Sequence, residues 1–174
     1  MSLPYLSNWR VFDAPPPEHV DDASQLVGQV ALLMGRMPTH SNNSVLGLLT
    51  IVLYAIRHKM IKIYYDCDGT VVGYVMWALL AEDVEQRIID TGQILLHESE
   101  WNEGNNLWVI DLLVPYGHIK YVLRDLRDGP FSRYDKVQYL RRKGDQVNHI
   151  SMVRNQKFGF FHDNSHSLNL RLGK

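Results

Sequence analysis

An acidic side chain lies inside one of the most apolar stretches of this chain. Residues 107–117 read Leu-Trp-Val-Ile-Asp-Leu-Leu-Val-Pro-Tyr-Gly, and Asp111 is the one charged side chain among them. The β-branched and aromatic residues predict a buried strand that ends at Pro115 and Gly117. An ionised carboxylate in a buried strand is costly unless another group pairs with it. The sequence therefore predicts a partner for Asp111, either an arginine in a structural ion pair or a group in a functional site.

Other residues of catalytic or metal-binding types give weaker indications of a functional site. Cys67 is the only cysteine and has no basic neighbour, which argues against a catalytic thiolate. A single cysteine also excludes an internal disulfide and is typical of a reducing cytosol. His162 and His166 are four residues apart, but their segment has no helical pattern and no added Cys or Glu ligand. We therefore expect no bound metal.

Charge is distributed unevenly along the chain. Residues 1–117 carry 6 Lys+Arg and 14 Asp+Glu, whereas residues 118–174 carry 12 and 5, so the net charge changes from −8 to +7. A basic surface attracts nucleic acid, acidic lipids or acidic proteins. Tyr134 and Tyr139 lie among the basic residues without forming a recognisable nucleic-acid motif, so we expect no nucleic-acid partner.

The hydrophobic periodicity predicts alternating helices and strands within one domain. We expect Asp21 or Asp22 to cap the first helix, Ser44 to cap the second, and a β-hairpin to turn through Asp66-Cys67-Asp68-Gly69. The first predicted helix runs from its cap to about residue 36, and the other predicted helices are residues 45–59, 81–97 and 116–128. The predicted strands are residues 61–65, 70–78, 107–114, 136–142 and 147–154. This order predicts an α+β fold, an α/β sandwich with a mixed sheet.

The ends of the chain are predicted to lie outside this domain. Residues 1–19 contain the Pro15-Pro16-Pro17 run and read as an extended lead-in, residues 20–154 as the domain, and residues 155–174 as a polar tail. The longest apolar run, residues 45–56, is too short to cross a bilayer, and the N-terminus has no signal-peptide pattern. We expect a cytoplasmic protein without stable membrane insertion.

Three motifs, in order and spanning roughly residues 27–117, resemble the toxin-activating lysine acyltransferases, the cytoplasmic partners of RTX haemolysins and adenylate cyclase toxins. Pro38-Thr39-His40 resembles the family's Pro-x-His, and residues 74–78 resemble its Tyr-x-x-Trp-Ala. Residues 100–117, with Glu100-Trp101, Gly104 and the segment around Asp111, resemble the family's core. After Gly117 the likeness is weak.

The resemblance implies a GNAT-like acyltransferase fold with a central mixed, mostly antiparallel sheet flanked by helices. It implies transfer of a fatty acyl group from acyl carrier protein to internal lysine ε-amines of an RTX-type protoxin, with no bound cofactor, and a homodimer. The family's catalytic His and Asp match His40 and Asp111.

This chemistry is consistent with the residue types. A lysine amine with a pKa of about 10.4 is neutral only about 0.04 % of the time at pH 7, so forming the nucleophile costs roughly 4.6 kcal/mol. A histidine with a pKa near 7 can take that proton, and a carboxylate on its other ring nitrogen fixes the tautomer. Alternatively, His40 attacks the thioester and carries the acyl group itself. The sequence leaves both routes open.

Further residues are expected to bind the substrates. Asn42 keeps the central residue of the Arg-Asn-Trp that usually follows the family's histidine, while Ser41 and Asn43 depart from it. Two other departures are Met37, in place of a serine that would suit an acyl intermediate, and Leu112, in place of a tryptophan. The aromatic residues predicted to line an acyl or pantetheine channel, with core packing as the alternative, are Trp77, Trp108 and Tyr116.

The sequence does not match the glycine-rich loop that binds coenzyme A, and this difference indicates the nature of the acyl donor. Residues 115–120 offer one glycine, whereas enzymes of the GNAT class that use coenzyme A cradle its pyrophosphate with a glycine-rich Arg/Gln-x-x-Gly-x-Gly/Ala loop. A basic dock for an acidic carrier protein is instead predicted at Arg141, Arg142 and Lys143, together with Arg124 and Arg127. Two alternatives remain, an acyl-CoA-dependent N-acyltransferase and a catalytically inactive adaptor that binds a toxin or a carrier.

Overall fold

The structure is a computed structural model that describes residues 10–12, 20–40, 44–143, 146–154, 161–163 and 166–171. Side chains are described for residues 23–40, 44–143 and 146–154. The helices are α1 (Val20–Gly35), α2 (Val45–Arg57), α3 (Glu82–Thr91) and α4 (Ile119–Asp128), with a short 3-10 helix at Glu98–Trp101. The strands are β1 (Arg10–Phe12), β2 (Ile61–Tyr65), β3 (Val71–Leu80), β4 (Asn106–Leu113), β5 (Lys136–Lys143), β6 (Gln146–Arg154), β7 (Phe161–Asp163) and β8 (His166–Arg171).

The chain forms two compact units, the first comprising Met1–Met76 and Asp111–Ile119 and the second Trp77–Ile110 and Lys120–Lys174. In the first unit the strand order is β1-β2-β3-β4, and β2 is antiparallel to both β1 and β3. Helix α1 packs against α2, and α2 packs against β2. Their apolar faces form a core with the buried residues of β2 and β3. This core includes Val30 and Leu33 of α1, Val52 and Ala55 of α2, Ile63 of β2, and Val75 and Met76 of β3.

In the second unit the strand order is β3-β4-β5-β6-β7, and β8 also pairs with β6. Strands β4 and β5 are parallel, whereas β5, β7 and β8 are each antiparallel to β6. The core of this unit includes Trp101, Leu107, Trp108, Val137 and Ile150, together with the inward residues of the two helices, which are Val84, Ile88, Val122 and Leu126.

These elements confirm the predicted α+β class and the mixed, mostly antiparallel sheet. The hairpin is confirmed, since β2 and β3 are antiparallel with Ile63 opposite Tyr74. The Asp66 carboxylate stabilises the turn by accepting hydrogen bonds from the backbone N–H groups of Asp68 and Thr70. The cap of α2 is confirmed as well, because the Ser44 hydroxyl accepts a hydrogen bond from the backbone N–H of Gly47.

Several helix ends differ from the sequence prediction. Helix α1 begins at Val20, before both aspartates predicted to cap it, and α2 ends at Arg57, two residues early. The helix predicted over residues 81–97 was too long, because Gly92 adopts a left-handed conformation that ends α3. The helix predicted from residue 116 begins at Ile119, after a turn.

Strands also occupy the predicted lead-in and tail. Strand β1 lies within residues 1–19, and β7 and β8 lie within residues 155–174. Short strands of this kind carry little periodicity, so a sequence pattern does not distinguish them from extended loops. The Pro15-Pro16-Pro17 run lies outside the described residues.

Candidate active site

His40 is held by the turns that follow α1. The backbone N–H of Met37 donates to the carbonyl of Met34, and that of His40 donates to the carbonyl of Met37 at 2.9 Å. Pro38 lacks an N–H group and cannot continue the helix ladder. The chain therefore leaves α1 through tight turns that place the His40 side chain shortly beyond the helix end.

Asp111 is the partner that His40 contacts. His40 Nε2 lies 3.1 Å from Asp111 Oδ1, although the two residues are 71 positions apart in the sequence. The side chains of His40 and Asp111 are 17 % and 24 % exposed, so water and a substrate can still reach them. The predicted buried strand is only partly buried, since Asp111 and its neighbours at the centre of β4 are half-buried.

Tyr74 holds the other oxygen of the same carboxylate. Its hydroxyl donates a hydrogen bond of 2.6 Å to Asp111 Oδ2, and the tyrosine side chain is fully buried in β3. A distance this short is typical of a hydroxyl that donates to an ionised carboxylate. Both oxygens of Asp111 therefore have a protein partner.

The hydrogen bonds assign the roles of the two ring nitrogens of His40. An ionised carboxylate can only accept, so Nε2 carries the proton that is donated to Asp111. In the neutral ring Nδ1 is then the acceptor, and the exposed hydroxyl of Thr39 lies 2.8 Å from it. Nδ1 is consequently the nitrogen on which His40 can take up a further proton.

The carboxylate also changes the basicity of the ring. The pKa of His40 is raised above its ordinary value of 6.5, chiefly because its side chain is hydrogen-bonded to Asp111. Partial burial opposes this rise, and the coulombic attraction of Asp111 adds to it. A histidine with such a pKa is suited to exchange protons near neutral pH.

The tryptophans predicted to line a channel lie in the second unit. Trp108 is fully buried, and its indole N–H donates to Glu85 Oε2 at 3.0 Å. The same carboxylate oxygen accepts from Gln138, whose own oxygen contacts His149 at 3.0 Å. Trp108 also stacks on the His149 ring, so its observed contacts are those of a packed core residue. Trp77 makes an edge-to-face contact with the ring of Phe131.

The remaining predicted binding residues are on the surface or outside the described part of the chain. Tyr116 is exposed and belongs to the first unit. Arg141, Arg142 and Lys143 are exposed at the end of β5 in the second unit. Asn42 lies outside the described residues, so its predicted role stays a prediction.

Two contacts in this site were not predicted from the sequence. Tyr74 is the first residue of the Tyr-x-x-Trp-Ala motif, and that motif was the signal that could have indicated it. Thr39 occupies the variable position of Pro-x-His, where a pattern gives no reason to expect a hydroxyl. Each contact depends on a side-chain direction that the motifs do not specify.

Comparison with known proteins identifies the class. A family model described as the RTX toxin acyltransferase family matches residues 19–154. The RTX-II toxin-activating lysine-acyltransferase of Actinobacillus pleuropneumoniae is 32% identical over 103 residues, which are 59% of this chain and 62% of that protein. A lysine-acyltransferase of Vibrio cholerae is 28% identical over 126 residues, 71% of this chain and 82% of its own length. An uncharacterised protein of Synechocystis is 28% identical over 112 residues, 64% of this chain and 76% of that protein.

The chain therefore belongs to the RTX toxin acyltransferase family. This confirms the resemblance inferred from the three motifs and the predicted enzyme class, a lysine acyltransferase. The match spans less than two thirds of the Actinobacillus relative's length, so the substrates and partners of this chain are treated as proposals below. Among the described residues, no helix is long and apolar enough to cross a membrane.

Proposed function

We propose that this chain transfers a fatty acyl group from an acyl carrier protein to lysine ε-amines of an RTX-type protoxin. The observation that carries the proposal is the contact of His40 with Asp111 in a chain of this family. The matched residues of two relatives named as lysine-acyltransferases support the same acceptor group. His40 acts as the base, and Asp111 orients it.

The need for a base follows from the acceptor. A lysine amine is almost entirely protonated at pH 7, and only its neutral form attacks a carbonyl carbon. A general base in contact with the amine removes the proton as the new bond forms, which typically contributes a factor of about 10²–10⁴ in rate. The raised pKa of His40 makes it a stronger base than free histidine.

The ring nitrogens fix the direction of proton transfer. Because Nε2 donates to Asp111, the proton of the amine goes to Nδ1. The Thr39 hydroxyl that contacts Nδ1 is exposed and can rotate away when the amine arrives. Asp111 then stabilises the imidazolium ion, since its negative charge lies next to the Nε2–H group.

The reaction balances from the neutral amine, which forms when the lysine ammonium loses one proton to solvent. The amine nitrogen forms a bond to the thioester carbonyl carbon, and a second proton passes from it to His40 Nδ1. The carbon–sulfur bond breaks, and the leaving thiolate takes the proton back from the imidazolium. The products are an amide on the lysine and a free thiol on the carrier, and His40 returns to its neutral form.

The choice of a carrier protein as donor is supported by charge. The exposed side chains of Arg141, Arg142 and Lys143 are consecutive on β5, so at least one of them is available to an acidic partner on either face of the strand. Complementary charge speeds the encounter of two proteins and makes it sensitive to salt. A small thioester such as acyl-CoA would not need a protein dock.

The proposal is tested by incubating the purified chain with acyl carrier protein loaded with a fatty acyl group and with an RTX-type protoxin. Mass spectrometry of the protoxin should show the acyl mass on internal lysines. We expect His40→Ala and Asp111→Asn to lower the initial rate by at least about 100-fold, because the first removes the base and the second leaves its tautomer undefined.

Two control variants and one alternative acyl donor are compared in the same assay. His97→Ala and Asp90→Asn replace exposed residues of the second unit and should keep the wild-type rate. Acyl-CoA in place of the loaded carrier should give little product. Wild-type rates in both site variants, with circular dichroism spectra like that of the wild type, would contradict the roles of His40 and Asp111. No acylation by the wild-type chain would contradict the enzyme and favour a non-catalytic adaptor.

A further inference from the structure

Tyr74 contacts the candidate site without facing the solvent. Its ring is fully buried in β3, next to Val75 and Met76, which are also fully buried. Its hydroxyl donates to Asp111 Oδ2, while Oδ1 of the same carboxylate faces His40. Tyr74 therefore touches Asp111 from the core of the first unit and reaches a substrate only through Asp111.

We propose that Tyr74 is a positioning residue that locks the rotation of the Asp111 carboxylate and thereby holds Oδ1 against His40. The effect on catalysis rests on the proposed function, but the effect on His40 does not. The proposed reaction gives roles to His40 and Asp111 only. Tyr74 acts on the reaction through these two residues.

The lock follows from the geometry of a carboxylate. Its two oxygens exchange places when the group rotates about the bond to the β-carbon, and that rotation is soft. A 2.6 Å hydrogen bond from a ring that is itself fixed in the core restricts this rotation. His40 alone cannot do so, because it lies on a turn and is partly exposed.

Tyr74 is more deeply buried than His40 or Asp111. Strand β3 is antiparallel to β2, and Tyr74 lies opposite Ile63, a residue without solvent exposure. Asp111, in contrast, is 24 % exposed, so water competes for its oxygens once the tyrosine hydroxyl is removed. The hydroxyl is thus a donor that the protein core holds in place.

Tyr74 also remains a donor at every working pH. Its pKa is raised far above the ordinary value of 10.0, first by burial and then by the negative charge of Asp111 and the hydrogen bond to it. It therefore does not exchange its proton with the reaction. His40, on the turn after α1, and Tyr74, in β3, both hydrogen-bond to the Asp111 carboxylate. His40 transfers the proton, and Tyr74 orients the carboxylate.

The test is Tyr74→Phe, which removes one oxygen and keeps the ring. The matched control is Tyr65→Phe, since the Tyr65 hydroxyl donates a 2.7 Å hydrogen bond to Gln29 in the same unit. The first measurement is a proton NMR titration of the His40 ring, assigned with His40→Gln. The second is kcat and KM for protoxin acylation at pH 7.

We expect Tyr74→Phe to move the pKa of His40 down towards 6.5, because the hydrogen bond that raises it becomes intermittent. We expect kcat to fall about tenfold with KM for the protoxin unchanged, as is usual when a group that orients a reacting side chain is lost. The control should change neither quantity. An unchanged His40 titration and kcat in Tyr74→Phe would overturn the proposal.

The two proposals fail in distinguishable ways. If the wild-type chain transfers no acyl group, the proposed function fails, whereas the His40 titration still decides the role of Tyr74. If Tyr74→Phe does not fold, the role of Tyr74 is tested by comparing the proton NMR spectra of the wild-type chain and Asp111→Asn. A downfield hydroxyl proton of Tyr74 that moves upfield in Asp111→Asn supports the lock, and an unmoved signal overturns it.

Discussion

At the scale of single residues, the candidate site is a chain of hydrogen bonds that runs from the core to the solvent. Tyr74 is buried, Asp111 and His40 are partly exposed, and Thr39 is exposed. Exposure is lowest at Tyr74 and highest at Thr39. The reacting nitrogen therefore lies near the solvent, while its orientation is set from the protein interior.

A substitution of Thr39 distinguishes two routes by which His40 takes up its proton. If the hydroxyl only covers Nδ1 until the substrate arrives, Thr39→Val should change the acylation rate by no more than about threefold, as expected for an exposed, replaceable hydrogen bond. The measurement is the initial rate of lysine acylation at saturating substrates. A loss of 100-fold or more would show that the hydroxyl itself takes part in the proton transfer or carries the acyl group.

The raised pKa of His40 also predicts a dependence of stability on pH. Because the folded-state pKa lies above the unfolded value of 6.5, the charged ring stabilises the fold fully below pH 6.5, and this stabilisation is lost as pH rises through the folded pKa. We expect the difference in Tm between the wild type and His40→Gln to shrink between pH 6 and pH 9. A difference that is constant or grows over this range would contradict the ion pair with Asp111.

At the scale of secondary-structure elements, the site depends on how closely β3 approaches β4. A Cβ atom at Gly73 would lie 3.1 Å from both the Leu113 carbonyl oxygen and a methyl group of Val114. This tight contact lies next to Tyr74 in β3 and two residues beyond Asp111 in β4. The glycine therefore lets the strands approach closely enough for the Tyr74 hydroxyl to reach the carboxylate.

We expect Gly73→Ala to destabilise the fold by about 1–3 kcal/mol, since the neighbouring strand must move. The acylation rate should fall as well, because the strand shift lengthens the hydrogen bond between Tyr74 and Asp111. Gly28→Ala is the matched control, since it meets nothing within 4 Å on α1 and should stabilise the fold by about 0.5–1 kcal/mol. Thermal unfolding and initial rates check both variants, and a Gly73→Ala chain as stable and as active as Gly28→Ala would contradict this role.

Elements with strong local signals were predicted well, and those fixed by packing were not. The hairpin through Asp66 and the cap at Ser44 depend on short-range hydrogen bonds, which residue types indicate directly. Asp111 was correctly predicted to need a partner because an isolated carboxylate among apolar residues is costly. Its second partner, Tyr74, was not predicted, because the pairing of β2 with β3 and the approach of β4 decide which side chains meet.

A glycine of the recognised motif illustrates the same limit. Gly104 was recognised only as a motif residue, yet a Cβ atom there would overlap the Leu80 backbone, at 2.0 Å from its carbonyl oxygen. The Gly104 N–H also donates to the Leu79 carbonyl at 2.9 Å. A sequence shows that a glycine is present, but only the fold shows which backbone it must approach.

At the scale of the whole molecule, the net charge near zero conceals a basic C-terminal third, and Arg141, Arg142 and Lys143 are its exposed run on β5. If this run binds the acidic carrier, changing all three residues to glutamate should raise KM for the loaded carrier at least about tenfold and weaken its salt dependence. The value of kcat should change little, because the proposed proton transfer assigns these residues no role.

Changing the exposed Arg36, Lys59 and Lys120 to glutamate alters the net charge by the same amount and is the control. Steady-state kinetics at low and physiological ionic strength check the expectation. An equal KM for the triple variant and the control would assign the carrier dock to another surface.

The central claim is that His40, oriented by Asp111, takes the proton of the attacking lysine. The most direct test is the pH dependence of the single-turnover acylation rate in the wild type and in His40→Ala. In the wild type we predict a rate that rises with pH and reaches half its plateau above pH 6.5, because only neutral His40 accepts a proton and its pKa is raised. In His40→Ala that step should be absent. The same step at the same rate in both chains would contradict the account.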